Sequence, residues 1–237
     1  MSDEFLAWKK LSESDIRSML IALVGYDFGR EPENRIPEIR ESRKSYSNYI
    51  GDQIALTSSD VVVDLGSGCG FGTYWFAKRA GFVHACDVSP AYLSFARREC
   101  AALPNVSFHQ IESRNLSPLK NHSIDALCSM SVFIHLNLYD IYWYFQEFQR
   151  VVKVNGRVWI DFADAESLDL ATPNRNGQLF IQHAEQYAAN PDGLTGYMFW
   201  NSGAAIIGIA RHFGFDCKAH RVGGELLFVN SGKPMSS

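Results

Sequence analysis

VVVDLGSGCG, residues Val61–Gly70, decides how the rest of the chain is read. Val61–Leu65 is a short β-branched run, the pattern of a strand buried on both faces of a parallel sheet. It carries a carboxylate, Asp64, and passes at once into a loop with Gly66, Gly68 and Gly70. TYWFAKRA (73–80) then reads as a helix closed by Gly81. A glycine loop between strand and helix lets the backbone approach a ligand, because no Cβ stands in the way. In open α/β sheets such ligands lie beyond the carboxyl ends of the strands.

The spacing selects among ligands. A dinucleotide fingerprint starting at Gly66 needs glycine or alanine at 71, where Phe71 stands; starting at Gly68 it meets Thr73. No Gly-Lys-Ser/Thr follows, so a triphosphate loop fails as well. Asp64 at the loop entrance repels a pyrophosphate and attracts a cation. Asp87 ends the next strand, FVHACDV (82–88), where an acidic side chain binds both hydroxyls of a ribose. A nucleoside with a ribose and a positive, phosphate-free tail fits this pattern, and S-adenosylmethionine is such a molecule. Plainer roles exist for each residue: Asp64 satisfying loop amides, Asp87 capping the helix that starts near Ser89, Glu112 an exposed charge at a strand end.

Working outward, Ser89 and Pro90 make an N-cap and N1 pair for a helix through about Leu103. VSFHQIE (106–112) and IDALCSM (124–130) read as the third and fourth strands. Asp140–Val152 is helical, and Asn155-Gly156 turns the chain into a fifth strand, RVWIDFA (157–163). Residues 164–200 read as a polar, irregular insertion, followed by a helix over 201–213. DCKAHRV (216–222) and ELLFVN (225–230), joined by Gly223-Gly224, read as an antiparallel hairpin at the sheet edge. Upstream, Ser12 and Asp15 form a capping signal before an apolar face through Ile16, Met19, Leu20, Leu23 and Val24. A second helix spans about Glu38 to Ala55. The expectation is an α/β, Rossmann-like, doubly wound and mostly parallel seven-stranded sheet with an antiparallel final strand and N-terminal helices. Residues 1–57 form a helical segment on the substrate side, and 58–237 the main domain with its insertion at 164–200.

The chain has 237 residues, 46% hydrophobic and 20% charged, enough for a sizeable core and too apolar for disorder. A net charge of −4 argues against a nucleic-acid partner. Five cysteines without a CxxC pair argue against a disulfide framework or structural zinc. MSDEFLAWKK lacks the basic-then-apolar order of a signal peptide, and Met19–Val24 is too short to cross a bilayer. A cytoplasmic protein without a membrane partner is expected; the oligomeric state is not legible.

Together these segments resemble the class I S-adenosylmethionine-dependent methyltransferases that act mostly on small molecules. VVVDLGSGCG resembles their first motif and HACDVSP their ribose-binding motif. HQIESRNL resembles the adenine segment, IDALCSMSVFIHL the fourth strand with its following histidine, and FQRVVKVNGRVWIDF the usual helix, turn and fifth strand. The resemblance implies that Gly66, Ser67 and Gly68 line the methionine and ribose portion and that Asp87 binds the ribose. It implies that Val88 packs on adenine, that Glu112 and the Ser113 amide meet its edge, and that the Ser129 carbonyl meets the methionyl ammonium. Ile111 departs from a common glycine, and Glu112 from a shorter aspartate.

Methyl transfer from a sulfonium is an in-line displacement, in which the protein aligns the reactants and excludes water. A base is needed only for a protonated nucleophile. His135, after the fourth strand, leads the candidates, with His183 and Tyr197 in the insertion behind it. Asp161 and Asp164 lack a clear third ligand, so no metal is expected. Ser129-Met130-Ser131-Val132 stands where amino-group methylases of adenine or glutamine carry Asn-Pro-Pro-Tyr. The expected acceptor is a small molecule methylated on oxygen or nitrogen, under a lid of aromatics such as Trp8, Tyr46 and Tyr187. The alternatives are a non-catalytic S-adenosylmethionine-binding protein and, disfavoured by Phe71, an NAD-dependent oxidoreductase.

Overall fold

A computed structural model describes residues 8–16, 18, 36–189, 198–221 and 224–233. Val61–Leu65 (β1) is the central strand that its apolar run demands. It pairs in parallel with Phe82–Asp87 (β2) on one side and Ile124–Ser129 (β4) on the other. Val106–Gln110 (β3) extends the sheet beyond β2, and Val152–Asp161 (β5) beyond β4, both in parallel. Ala163–Asp164 (β6) and Trp200–Asn201 (β7) form a separate two-residue pair. Phe215–Arg221 (β8) and Glu225–Asn230 (β9) complete a seven-stranded sheet in the order β3-β2-β1-β4-β5-β9-β8.

One expectation holds at the sheet and one is corrected. The closing hairpin lies at the sheet edge as expected: β9, the final strand, runs antiparallel to both β5 and β8, and β8 is the edge opposite β3. Side chains explain the choice. Leu226 and Phe228 of β9 are fully buried, whereas β8 exposes Asp216, Lys218, His220 and Arg221, the charged profile that protects an edge strand. Asn155-Gly156 does not precede the fifth strand but lies within it. The β4–β5 register shifts there, and Asn155 takes a left-handed φ of 64°, so the pair makes a bulge.

The helices Ile36–Gln53 (α1), Phe71–Ala77 (α2) and Pro90–Glu99 (α3) precede β1, β2 and β3 respectively; Leu138–Val151 (α4), Arg175–Ala189 (α5) and Gly203–His212 (α6) follow β4. Ser89 caps α3, its hydroxyl accepting from Tyr92 N, and Ser12 and Asp15 cap each other's turn reciprocally. α1 and α2 cover one face of the sheet, where Ile50, Ile54 and Phe76 pack with Val62, Val83 and Trp159. α1 thus shares the core of the sheet. The rest of the helix expected from Ile16 to Val24 lies mostly outside the described residues. α4 and α6 cover the other face with Ile141, Phe145, Phe148 and Ile206, at helical spacing. The 164–200 insertion is less irregular than expected. Asn174 accepts from Gly177 N at 2.8 Å to start α5, and Phe180 meets the Trp200 ring at 6.2 Å.

Phe145 is the hinge of the α4 face, with the rings of Phe148, Phe215 and Phe228 at 5.3, 5.6 and 5.2 Å. Phe145→Ala removes a fully buried ring that joins α4 to β8 and β9. It should lower the unfolding free energy by about 3–5 kcal/mol, read from urea denaturation.

Candidate active site

The strand order reverses direction about β1, between β2 and β4, and the strand ends part there, as at the ligand crevice of other open α/β sheets. A cavity of about 280 Å³ opens at this point. Gly66, Ser67 and Gly68 line it from the loop, and Asp87, Val88 and Ile111 from the ends of β2 and β3. Met130, Ser131, Val132 and His135 line it from the segment after β4, and Trp8, Ile16 and Tyr92 from the N-terminal segment and α3.

The loop is held by backbone chemistry. Gly66 N and Ser67 N both donate to Cys86 O, at 2.7 and 3.1 Å. Gly66 has φ 73°, and a Cβ there would collide with Val132 Cγ2. At Gly68, φ 52°, a Cβ would instead meet nothing within 4 Å, so this backbone faces open space. Asp87 accepts from Gly68 N with Oδ2 and from Ser89 N with Oδ1, both at 2.8 Å. It therefore holds the loop and starts α3 while lining the cavity. Burial pushes its carboxyl up to about 6, against the pull of those amides.

Asp64 departs from its expected role. It is buried and accepts from Thr73 Oγ1 at 2.5 Å, stapling β1 to α2 rather than lining the cavity. Burial raises its carboxyl to about 6 as well. Glu112 is also corrected. Beyond β3 the chain turns so that Ile111 enters the wall, while the Glu112 side chain is 82% exposed, 3.5 Å from Lys9 Nζ. Ser113 adopts φ 56°, and its carbonyl accepts from Tyr144 Oη at 3.2 Å. Ser129 is fully buried and donates from Oγ to Leu65 O at 3.0 Å, tying β4 to β1 just before the residues that line the cavity. His135 lies on the turn Phe133–His135, its ring 5.6 Å from that of Trp8. His183 is on α5 and does not line the cavity; Tyr197 lies outside the described residues.

Arg43, Tyr144 and Ser131 are among the cavity residues that escaped sequence reading. Arg43 reaches the wall from α1, and among the described residues it makes no ion pair. Tyr144 comes from α4, where helical spacing marked only core. Ser131 stands at φ 59°, its amide donating to both oxygens of Asp161 at 2.7 and 2.9 Å. Asp161 faces Glu225 across the strand pair, and burial with that neighbouring charge raises its carboxyl to about 7. Asp164 accepts from Glu166 N at 3.0 Å, a turn-capping contact. Ser67 Oγ is buried without a hydrogen-bond partner among the described residues, and beside Gly68 it leaves a polar niche for a ligand.

Residues 62–156 match the family model described as a methyltransferase domain. Over 58 residues the chain is 43% identical to ribosomal RNA small subunit methyltransferase A of Rubrobacter xylanophilus, covering 24% of this chain and 22% of that protein. Over 105 residues it is 30% identical to demethylmenaquinone methyltransferase of Tropheryma whipplei, covering 44% and 42%. The chain thus spans less than half the length of these curated relatives. A geranyl diphosphate C-methyltransferase from Streptomyces coelicolor, solved with Mg²⁺, geranyl diphosphate and S-adenosyl-L-homocysteine, shares the fold. Its TM-score is 0.64 at 14% identity, over 96% of this chain and 97% of that one. Residues 62–156 thus carry a methyltransferase domain, on a fold shared with a structure solved with S-adenosyl-L-homocysteine.

Asp64 offers a test of the electrostatics. Its carboxyl is raised above the unfolded value, so its stability contribution is full below about pH 4 and is lost as pH rises through about 6. Asp64→Asn removes that ionisation. Relative to the parent, the variant should gain on the order of 2–3 kcal/mol between pH 4 and pH 8 in urea titrations. An equal difference at both pH values would mean that Asp64 ionises freely.

Proposed function

We propose that this chain transfers a methyl group from S-adenosylmethionine to an oxygen or nitrogen of a small-molecule acceptor. The observation that carries the reading is the niche where Asp87 meets the Gly66–Gly68 loop, with Ser67 Oγ buried and unpartnered beside it. When bound, S-adenosylmethionine supplies an electrophilic methyl group on a sulfonium. Asp87 would hold the ribose hydroxyls while staying fixed by the Gly68 and Ser89 amides. Val88 and Ile111 offer apolar faces for the adenine in place of Glu112. Arg43 puts a cation in the wall, the partner that a methionyl carboxylate requires. The Ser129 carbonyl end of β4 is the place for the ammonium.

A small acceptor is favoured by the aromatic and aliphatic lining from Trp8, Ile16, Phe71 and Tyr92, and by the net charge of −4. Trp8, packed on His135 and Tyr92, excludes water from the crevice. His135 is the imidazole placed to orient the acceptor or to take its proton. Among the described residues no helix is long and apolar enough to cross a membrane.

Calorimetry with S-adenosylhomocysteine should show binding that Asp87→Ala weakens by roughly 10–100-fold, the worth of hydrogen bonds to a charged group. Arg43→Ala should weaken it by about tenfold. Labelled methyl groups should appear in a small-molecule fraction of a cell extract. Label confined to RNA would overturn the acceptor, and binding without any transfer would leave a non-catalytic binding protein.

A further inference from the structure

β2 and β3 carry a second cluster of ligand-bearing side chains, away from the cavity. The connection from β3 to β4, residues 111–123, makes turns and one short bridge but no helix. Ile111, Leu116 and Leu119 of this connection cover Cys86, and the sheet face beyond it has no crossover helix. Phe108 of β3 points the other way, under the Arg97 guanidinium of α3 at 5.4 Å. Alternation then turns Ser107 and His109 to the opposite face, where they are half-buried beside His84, on the face that Cys86 shares.

His84 Nδ1, Ser107 Oγ and His109 Nε2 form a closed triangle with edges of 2.8, 2.8 and 3.0 Å. Donors bound tetrahedrally to one ion at about 2.1 Å are about 3.4 Å apart, so the triangle has to open by only about half an ångström to hold one. We propose that His84 and His109, with Ser107 Oγ as third donor, bind a divalent transition-metal ion of the zinc class. Imidazole suits such borderline ions, and the half-buried setting leaves the outer positions to water. Burial and the facing His109 push His84 down to about 4, while burial and the Arg97 charge lower His109. Such an ion would clamp the edge strand β3 to β2.

Asp164, Glu166 and His220 are the rival, with ligand atoms within 4.8 Å of one another. There Glu166 Oε1 already accepts from Ser202 Oγ at 2.6 Å, and Asp164 from Glu166 N.

The test titrates zinc chloride into the metal-stripped full chain at pH 7 by calorimetry. One zinc per chain is expected, with a raised thermal midpoint. His84→Ala and His109→Ala should each weaken binding at least tenfold, and His220→Ala should leave it unchanged. Histidine ring NMR on the unsubstituted protein covers the case of a variant that does not fold: zinc should shift the His84 and His109 signals first. No zinc uptake, uptake that survives both substitutions, or uptake lost with His220→Ala overturns the proposal.

Discussion

The carbonyl of Cys86 accepts hydrogen bonds from both Gly66 N and Ser67 N, and the site depends on that pair. It fixes the glycine loop of β1 to the end of β2. The next residue along, Asp87, then meets Gly68 N and Ser89 N without adjustment. The register Leu65↔Cys86 is what places these groups together. A slip of one residue would turn Asp87 to the opposite face of the sheet and leave the loop amides without acceptors.

Much of this was legible because the signals are local. The apolar run of β1, the glycines after it, Ser89-Pro90 and the Ser12–Asp15 pair all act within a few residues of themselves. The unread parts depend on contacts distant in sequence. Arg43 reaches the cavity only because α1 lies across the sheet beside α2, and nothing around Arg43 in the chain marks it. Trp8, expected in a lid, lines the cavity, and its packing on Tyr92 and His135, residues far along the chain, is what the sequence did not show. Polar residues in the insertion concealed α5, which buries only Gly177 and half-buries Asn176, Leu179, Phe180 and His183. Glu112 shows the reverse failure. The motif located the segment, but the turn after β3 decided which of Ile111 and Glu112 faced inward.

Three carboxylates, Asp64, Asp87 and Asp161, lie at or one residue before the ends of three parallel strands, and each is harder to ionise than in water. Their partners differ. Asp64 has a hydroxyl, Asp87 two amides, and Asp161 one amide shared between its oxygens. None of these contacts is an ion pair, so desolvation outweighs the hydrogen bonds in every case. The crevice end of the sheet is thus its electrostatically costly end, a common property of functional sites.

β9 follows every other strand in the chain yet belongs between β5 and β8. Until residues 225–230 arrive, Trp159 and Ile160 of β5 present an open row of backbone groups with apolar neighbours. That unfinished border is a template for pairing with another molecule during synthesis. The last strand therefore acts as the seal that makes the sheet monogamous, and a chain stalled before Leu226 would be the aggregation-prone form.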